Sequence, residues 1–241
     1  MSGNMTRMDD SKRRKPDATT GYGRLGREVI IEASLRLTAR PGVTQVRFRD
    51  LGAELGADPT AVYRHFRNKH SLMTALIERL LEDVAAALPI RLAPADYLMQ
   101  GAETLFETFS RHPAVGLHLA DDRPVGPAEL ALAERIIVAL EGAGLDGQPL
   151  VEHYATYSGF VLAYVANACR VRVTAAGSQI DDVPWLPDDV EVTAQSHPAL
   201  TRHAEQLWAM DFQSTYRSAV RIIVDNIMRA GGRDGRDRPF Q

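Results

Sequence analysis

Leu25, Val29, Ala33 and Leu37 recur every four residues, the spacing of one helical face, and Pro41-Gly42 stops that segment. Residues 48–55 form a short amphipathic helix with Leu51 and Leu55 on one side and Gly56 behind it. Asp58-Pro59 opens another short helix, with Asp as N-cap and Pro in the first turn. Leu72, Leu76, Leu80, Val84 and Leu88 then mark a long helix over 69–88, ending at Pro89. Further helices are predicted at 95–110, 113–119, 127–142, 149–171 and 203–230, joined by loops at Gly142-Ala143-Gly144 and across 172–200. That last stretch carries Gly177, Pro184, Pro187 and paired aspartates, and its length marks it as mobile or functional. Alternating β-branched runs are few. The pattern predicts an all-α fold.

The division that follows is a basic arm (1–20), a three-helix unit (21–70), a larger helical body (71–230) and a frayed tail (231–241). The arm holds Lys12-Arg13-Arg14-Lys15-Pro16 and too few apolar groups to fold. It is either a DNA-seeking arm or a solvated tail.

Charge sharpens this division. The 241 residues carry a net −3, but residues 1–80 hold 15 Lys and Arg against 9 Asp and Glu, and the rest hold 13 against 22. A basic front on an acidic body suggests that only the front meets a polyanion. No stretch approaches the roughly 20 apolar residues that span a bilayer, and no secretory signal is visible. The single cysteine, Cys169, forms no internal disulfide and fits a cytoplasmic location as a small buried apolar residue.

The segment from Phe48 to Phe66 carries the chemistry. Two short helices joined through a glycine turn let the second enter a DNA major groove, which admits one helix. Gly52 and Ala53 permit close packing, while Leu51, Leu55, Val62 and Phe66 lock the pair. Thr60, Ala61, Tyr63, Arg64 and His65 are left facing outward. Val62-Tyr63-Arg64-His65-Phe66-Arg67-Asn68-Lys69, followed by an apolar helix, resembles the TetR family of one-component transcription regulators. Arg47 departs from it, standing where the family commonly has a Thr or Ser cap. The cap then moves to Thr44, or the helix start frays.

The resemblance implies operator binding as a homodimer and release by a small-molecule inducer. Arg49 would contact a guanine edge or a phosphate, and Tyr63 and Lys69 would anchor phosphates. Thr60 and Ala61 can touch thymine methyls, and Arg64 and His65 reach bases or backbone.

In the body, Val151, Ala155, Ser158, Leu162 and Val165 form one apolar stripe, with small Gly159, Ala163 and Ala166 nearby. Phe212, Tyr216, Ala219, Val220, Ile223 and Ile227 form a second. The two stripes suit an intersubunit four-helix bundle; either alone suits intrachain core. Residues 110–119 through Pro124 resemble the tetracycline-repressor group of the family. That likeness puts His118 at a ligand-binding position, against the plain reading of a helix-end histidine. Asn167, Ala85, Gln100 and Thr104 alter the polar set around it, which argues against a magnesium-tetracycline ligand. Met99, Phe106, Phe109, Tyr157, Phe160 and Tyr164 would line a partly apolar pocket or simply form core.

No nucleophile elbow, phosphate-cradling loop, paired-cysteine set or His-Glu-x-x-His motif is present, and neither cofactor nor metal is expected. His112, His118, Asp121 and Asp122 are a conceivable metal cluster. The alternatives to a regulator are therefore a helical dimer that binds small molecules, or a metal-dependent enzyme, without operator binding.

Overall fold

The structure, a computed structural model, describes residues 26–121, 124–174 and 192–232, and every regular element among them is helical. The arm at 1–20 and most of the tail lie outside the described residues.

Helix α1 (Arg27–Thr38) buries Ile30, Ile31, Ala33, Ser34, Leu35 and Thr38. Val29, expected on the inner face, is 46% exposed, and Leu25 lies outside the described residues. The adjacent isoleucines rotate the inward face. Two hydroxyls can join that face because Ser34 Oγ donates to Ile30 O (2.7 Å) and Thr38 Oγ1 to Leu35 O (3.1 Å).

Helix α2 (Phe48–Leu55) begins at Arg47 without a side-chain cap, so no cap at Thr44 replaces the missing Ser or Thr. It ends at Gly56 in the left-handed region (φ 59°). Helix α3 (Pro59–Tyr63) is capped by Asp58, whose Oδ1 accepts from Thr60 N at 2.8 Å. Gly52 is where the two helices meet, because a Cβ there would lie 2.9 Å from the Ala57 carbonyl oxygen. Ala53 is exposed and has no such role. Helix α4 (Lys69–Ala87) starts with a reciprocal cap between Asn68 and Ser71 and buries Leu72, Leu76, Leu80 and Val84, as the sequence pattern requires.

In the body α5 (Pro94–Ser110), α6 (Pro113–Gly116) and α7 (Pro127–Gly142) pack on α4, and α8 (Gly147–Thr174) packs on those three. Helix α7 has no local side-chain cap, and α4 supplies one: Ala128 N donates to Glu78 Oε1 at 2.5 Å. At the C-terminal end of α4, Arg135 of α7 donates to Ala85 O (2.9 Å), Leu88 O (3.3 Å) and Pro89 O (3.1 Å). Those carbonyls have no intrahelical partner. The two helices thus cap each other across the core.

The single helix expected over 203–230 is two, α10 (Ala204–Trp208) and α11 (Phe212–Ala230), after a short α9 (Pro198–Arg202). Asp211 restarts the chain by accepting from Ser214 N at 2.7 Å, a capping signal that the apolar periodicity hides. Of the expected loop at 172–200, residues 172–174 finish α8, 198–200 open α9, and 175–191 lie outside the described residues.

The two body stripes are also redistributed. Val151 and Ala155 face solvent, Ser158 and Leu162 are half-buried, and Val165 is buried. Tyr216, Val220 and Ile227 are buried within the chain itself, which corrects their assignment to an intersubunit seam. They pack there because α11 lies against α5 and α8.

Candidate nucleic-acid interface and ligand cavity

The outward side of α2 and α3 and the start of α4 is one polar, cationic surface. Arg49, Thr60, Tyr63, Arg64, His65 and Lys69 are all exposed, with Ala61 half-buried among them. Arg49 has only a loose pairing with Asp50 (3.8 Å), so its guanidinium remains available. Tyr63 rests edge-on against Phe48 of α2, ring centroids 4.5 Å apart, which sets its direction while leaving it 55% exposed. Beneath this surface Val62 and Phe66 are sealed, and the Arg27 guanidinium sits 4.5 Å from the Phe66 ring centroid. Arg40 of the α1–α2 turn grips both Glu54 oxygens at 2.7 Å. The surface is held on a rigid base.

The residues expected to line a pocket are divided among several places, and Met99 and Phe106 border one small crevice between α5 and α11. Phe106, Phe160, Tyr164, Phe212 and Tyr216 form an aromatic cluster joining α5, α8 and α11, with centroid spacings of 4.9 to 6.1 Å. The phenols are spent on backbone: Tyr164 Oη donates to Phe212 O (3.1 Å) and Tyr216 Oη to Ala102 O (2.9 Å). Met99 packs beside this cluster, Gln100 is exposed, and Thr104 is half-buried. Asn167 accepts from Arg170 at 2.5 Å.

Of the expected set only Tyr157 reaches the apolar cavity between α4, α5, α7 and α8, which holds about 80 Å³. Leu81 and Val84 of α4, Leu88 just beyond it, Leu105 of α5, and Leu132 and Ile136 of α7 supply much of its wall. Tyr157 Oη donates to Leu98 O at 2.6 Å, and burial pushes its phenol well above the usual range. Sequence reasoning missed this wall because leucines in four different helices carry no local mark of a cavity.

His118 lies elsewhere, in an open groove with Lys69, His70 and Met73, its Nδ1 2.6 Å from Asp121 Oδ2. His112 is bonded to a different element, its Nδ1 3.0 Å from Thr38 Oγ1 of α1. Burial, reinforced by Arg111, pulls the His112 pKa down. These two histidines therefore do not share a site; Asp122 lies outside the described residues. Among the described residues no three His, Cys, Asp or Glu side chains cluster as metal ligands, and no helix is long and apolar enough to cross a membrane.

Residues 30–76, which hold this helix-turn-helix, match the family described as bacterial regulatory proteins, tetR family, and residues 95–229 match the tetracyclin repressor-like C-terminal domain. The chain belongs to the TetR family. It is a DNA-binding transcriptional regulator of that family. The class D tetracycline repressor protein of Escherichia coli is 30% identical over 192 residues, covering 78% of this chain and 82% of that one. An HTH-type transcriptional regulator of Saccharopolyspora erythraea is 28% identical over 59% of this chain, which spans 60% of that relative's length. The TetR family protein ActR of Streptomyces coelicolor, solved in complex with actinorhodin, shares the fold with a TM-score of 0.66 at 21% identity, covering 86% of this chain and 99% of that one.

Proposed function

We propose that this TetR-family protein is a homodimeric repressor that holds a near-palindromic operator and releases it when a small molecule fills the α4–α5–α7–α8 cavity. One observation carries the reading: α4 belongs to both sites. Its first residue, Lys69, stands on the cationic surface, and its Leu81 and Val84 wall the cavity. Lys69 and Leu81 are 12 residues apart, about 18 Å along a helix. A ligand that displaces the far end of such a rod tilts the helix-turn-helix at its near end. The tetracycline repressor and the actinorhodin-bound ActR support a small-molecule effector.

Dimerisation is supported by the face that one chain leaves uncovered. Val151, Ala155, Gly159 and Ala163 recur every four residues on the exposed side of α8, and a Cβ on Gly159 would meet nothing within 4 Å. Ile222 of the neighbouring α11 is 66% exposed. A second copy laid across these two helices would bury both.

Footprinting on DNA flanking the gene tests the reading, with a symmetric protected site expected. Equal affinity for an isolated half-site, together with a monomer in equilibrium sedimentation, would refute it. A dimer that binds ligand but no duplex would be a small-molecule-binding protein instead. An effector coupled by about 1–3 kcal/mol changes operator affinity roughly 5–150-fold, and the operator must weaken the effector by the same factor.

The surface makes a separate prediction. Lys69→Ala is expected to weaken all duplexes alike and to flatten the plot of log K against log salt by about one unit. Arg49→Ala is expected to relax preference at one base pair, by about 1–3 kcal/mol. An unchanged salt slope would show that Lys69 does not touch the backbone.

A further inference from the structure

We infer that Arg47, aimed outward from the start of α2 by Gln45, is a further DNA contact of this protein, a clamp on a backbone phosphate beside the α2–α3 surface. The inference rests on the placement of the DNA-binding surface on α2, α3 and the start of α4. The chain entering α2 alternates: Val46 and Phe48 are buried, while Gln45, Arg47 and Arg49 are exposed. Arg47 is itself extended (φ −116°, ψ 138°), so its side chain shares a face with that of Gln45. The Gln45 amide is satisfied with its oxygen turned to Arg47, where it accepts from Nε at 3.3 Å and from Nη2. This spends Nε and one proton of Nη2 on aiming the guanidinium. The outer fork, Nη1 with the second proton of Nη2, stays free and matches two oxygens of a phosphate. Among the described residues no carboxylate pairs with Arg47, whereas Arg40 holds Glu54 and Arg79 holds Glu32.

Position makes the target a phosphate rather than a base edge. In a helix-turn-helix the second helix lies in the groove while the first crosses the backbone, and Arg47 is the N-cap residue of the first. The next residue, Phe48, packs edge-on against Tyr63, which brings the start of α2 beside the cationic surface. Arg47 also works against its own helix. It supplies no oxygen to the first-turn N–H groups, where a serine or aspartate would, and its charge opposes the helix dipole. A side chain that denies its helix a cap and is nonetheless braced by a neighbour is accounted for by an anion outside the chain.

One substitution therefore moves stability and binding in opposite directions. Arg47→Ser supplies a capping oxygen, so Tm of the intact protein is expected to rise by about 2–4 °C. Its affinity for a random-sequence duplex of about 30 base pairs is expected to fall about tenfold near 0.1 M salt, with a flatter plot of log K against log salt. A folding defect cannot weaken binding while raising Tm. Arg47→Gln adds no good cap and should lose the same affinity and slope, which keeps the test open if Arg47→Ser alters the helix start. Arg40→Ala removes the same charge from a turn that borders the body, beside Arg111 and Arg172, and should leave the slope unchanged. Gln45→Ala should weaken the wild type about threefold and change nothing in the Arg47→Gln background, since it acts only through that side chain. An unchanged slope in both Arg47 variants, or an equal flattening in Arg40→Ala, would overturn the inference, and additive losses would overturn the bracing by Gln45. Lys69→Ala separates this from the wider reading. If Lys69→Ala alone flattens the slope, the DNA-binding surface stands and the clamp falls; if neither position affects it, both fall.

Discussion

Phe66→Ala is expected to cost the N-terminal three-helix unit about 3–5 kcal/mol and to abolish specific DNA binding. Phe66 is 1% exposed and lies three residues beyond the end of the short α3, with its N–H bonded to Val62 O at 3.0 Å. A five-residue helix has no stability of its own, so the position of α3 depends on what lies beneath it. Removing the ring opens a cavity under the cationic surface and takes away the face on which Arg27 rests. Denaturant unfolding and duplex titration should both report the loss. Sedimentation should still find the dimer, because the proposed dimer face lies on α8 and α11. Full duplex affinity in the variant would show that the surface does not depend on this core.

Gly116→Val is expected to destabilise the protein by about 3 kcal/mol and to uncouple the cavity from DNA. A Cβ at Gly116 would lie 2.4 Å from Cys169 Sγ and 3.2 Å from the Phe109 Cβ. None of these neighbours is the end of a flexible chain, so α6 must move away from α8. Helix α6 also touches α1 and α4, and its displacement reaches the DNA-binding unit. Two measurements check this. Cys169 is fully buried, and burial pushes its thiol up from 9.0 to about 12, so in the native protein it should resist maleimide at neutral pH; the variant should be labelled readily. Combining the milder Gly116→Ala with Cys169→Ala should recover much of the stability that Gly116→Ala loses alone, since the two changes share one space. Equal losses with and without Cys169→Ala would show that the thiol is not the obstacle. The same raised pKa gives the wild type an alkaline limit. The neutral buried thiol stabilises the fold below about pH 9, and that contribution falls as pH rises towards 12.

The helix-turn-helix was legible because its signals are local. Gly56 at a left-handed position, Asp58 bonding Thr60 and Asn68 bonding Ser71 each act within three residues. The leucine repeat of α4 likewise declares its buried face, since neighbours surround that helix along its length. The exposed side chains of the cationic surface follow directly, because whatever those short helices do not bury must face out.

The sequence by itself determined the all-α class, the order of the helices and the placement of the cationic surface, through capping and periodicity that operate within a turn or two. Tertiary structure alone decided which way the ambiguous faces turn. Helix α1 presents Ile30 rather than Val29, and α11 turns Tyr216 and Val220 into its own chain. Phe106 and Tyr164 are tied up in an aromatic cluster, while leucines of α4, α5 and α7 enclose the cavity. The start of α7 depends on Glu78, 50 residues away, and the end of α4 on Arg135. A helix with apolar residues on several sides can bury any of them. Only the partners brought together by the whole chain choose which side loses contact with water.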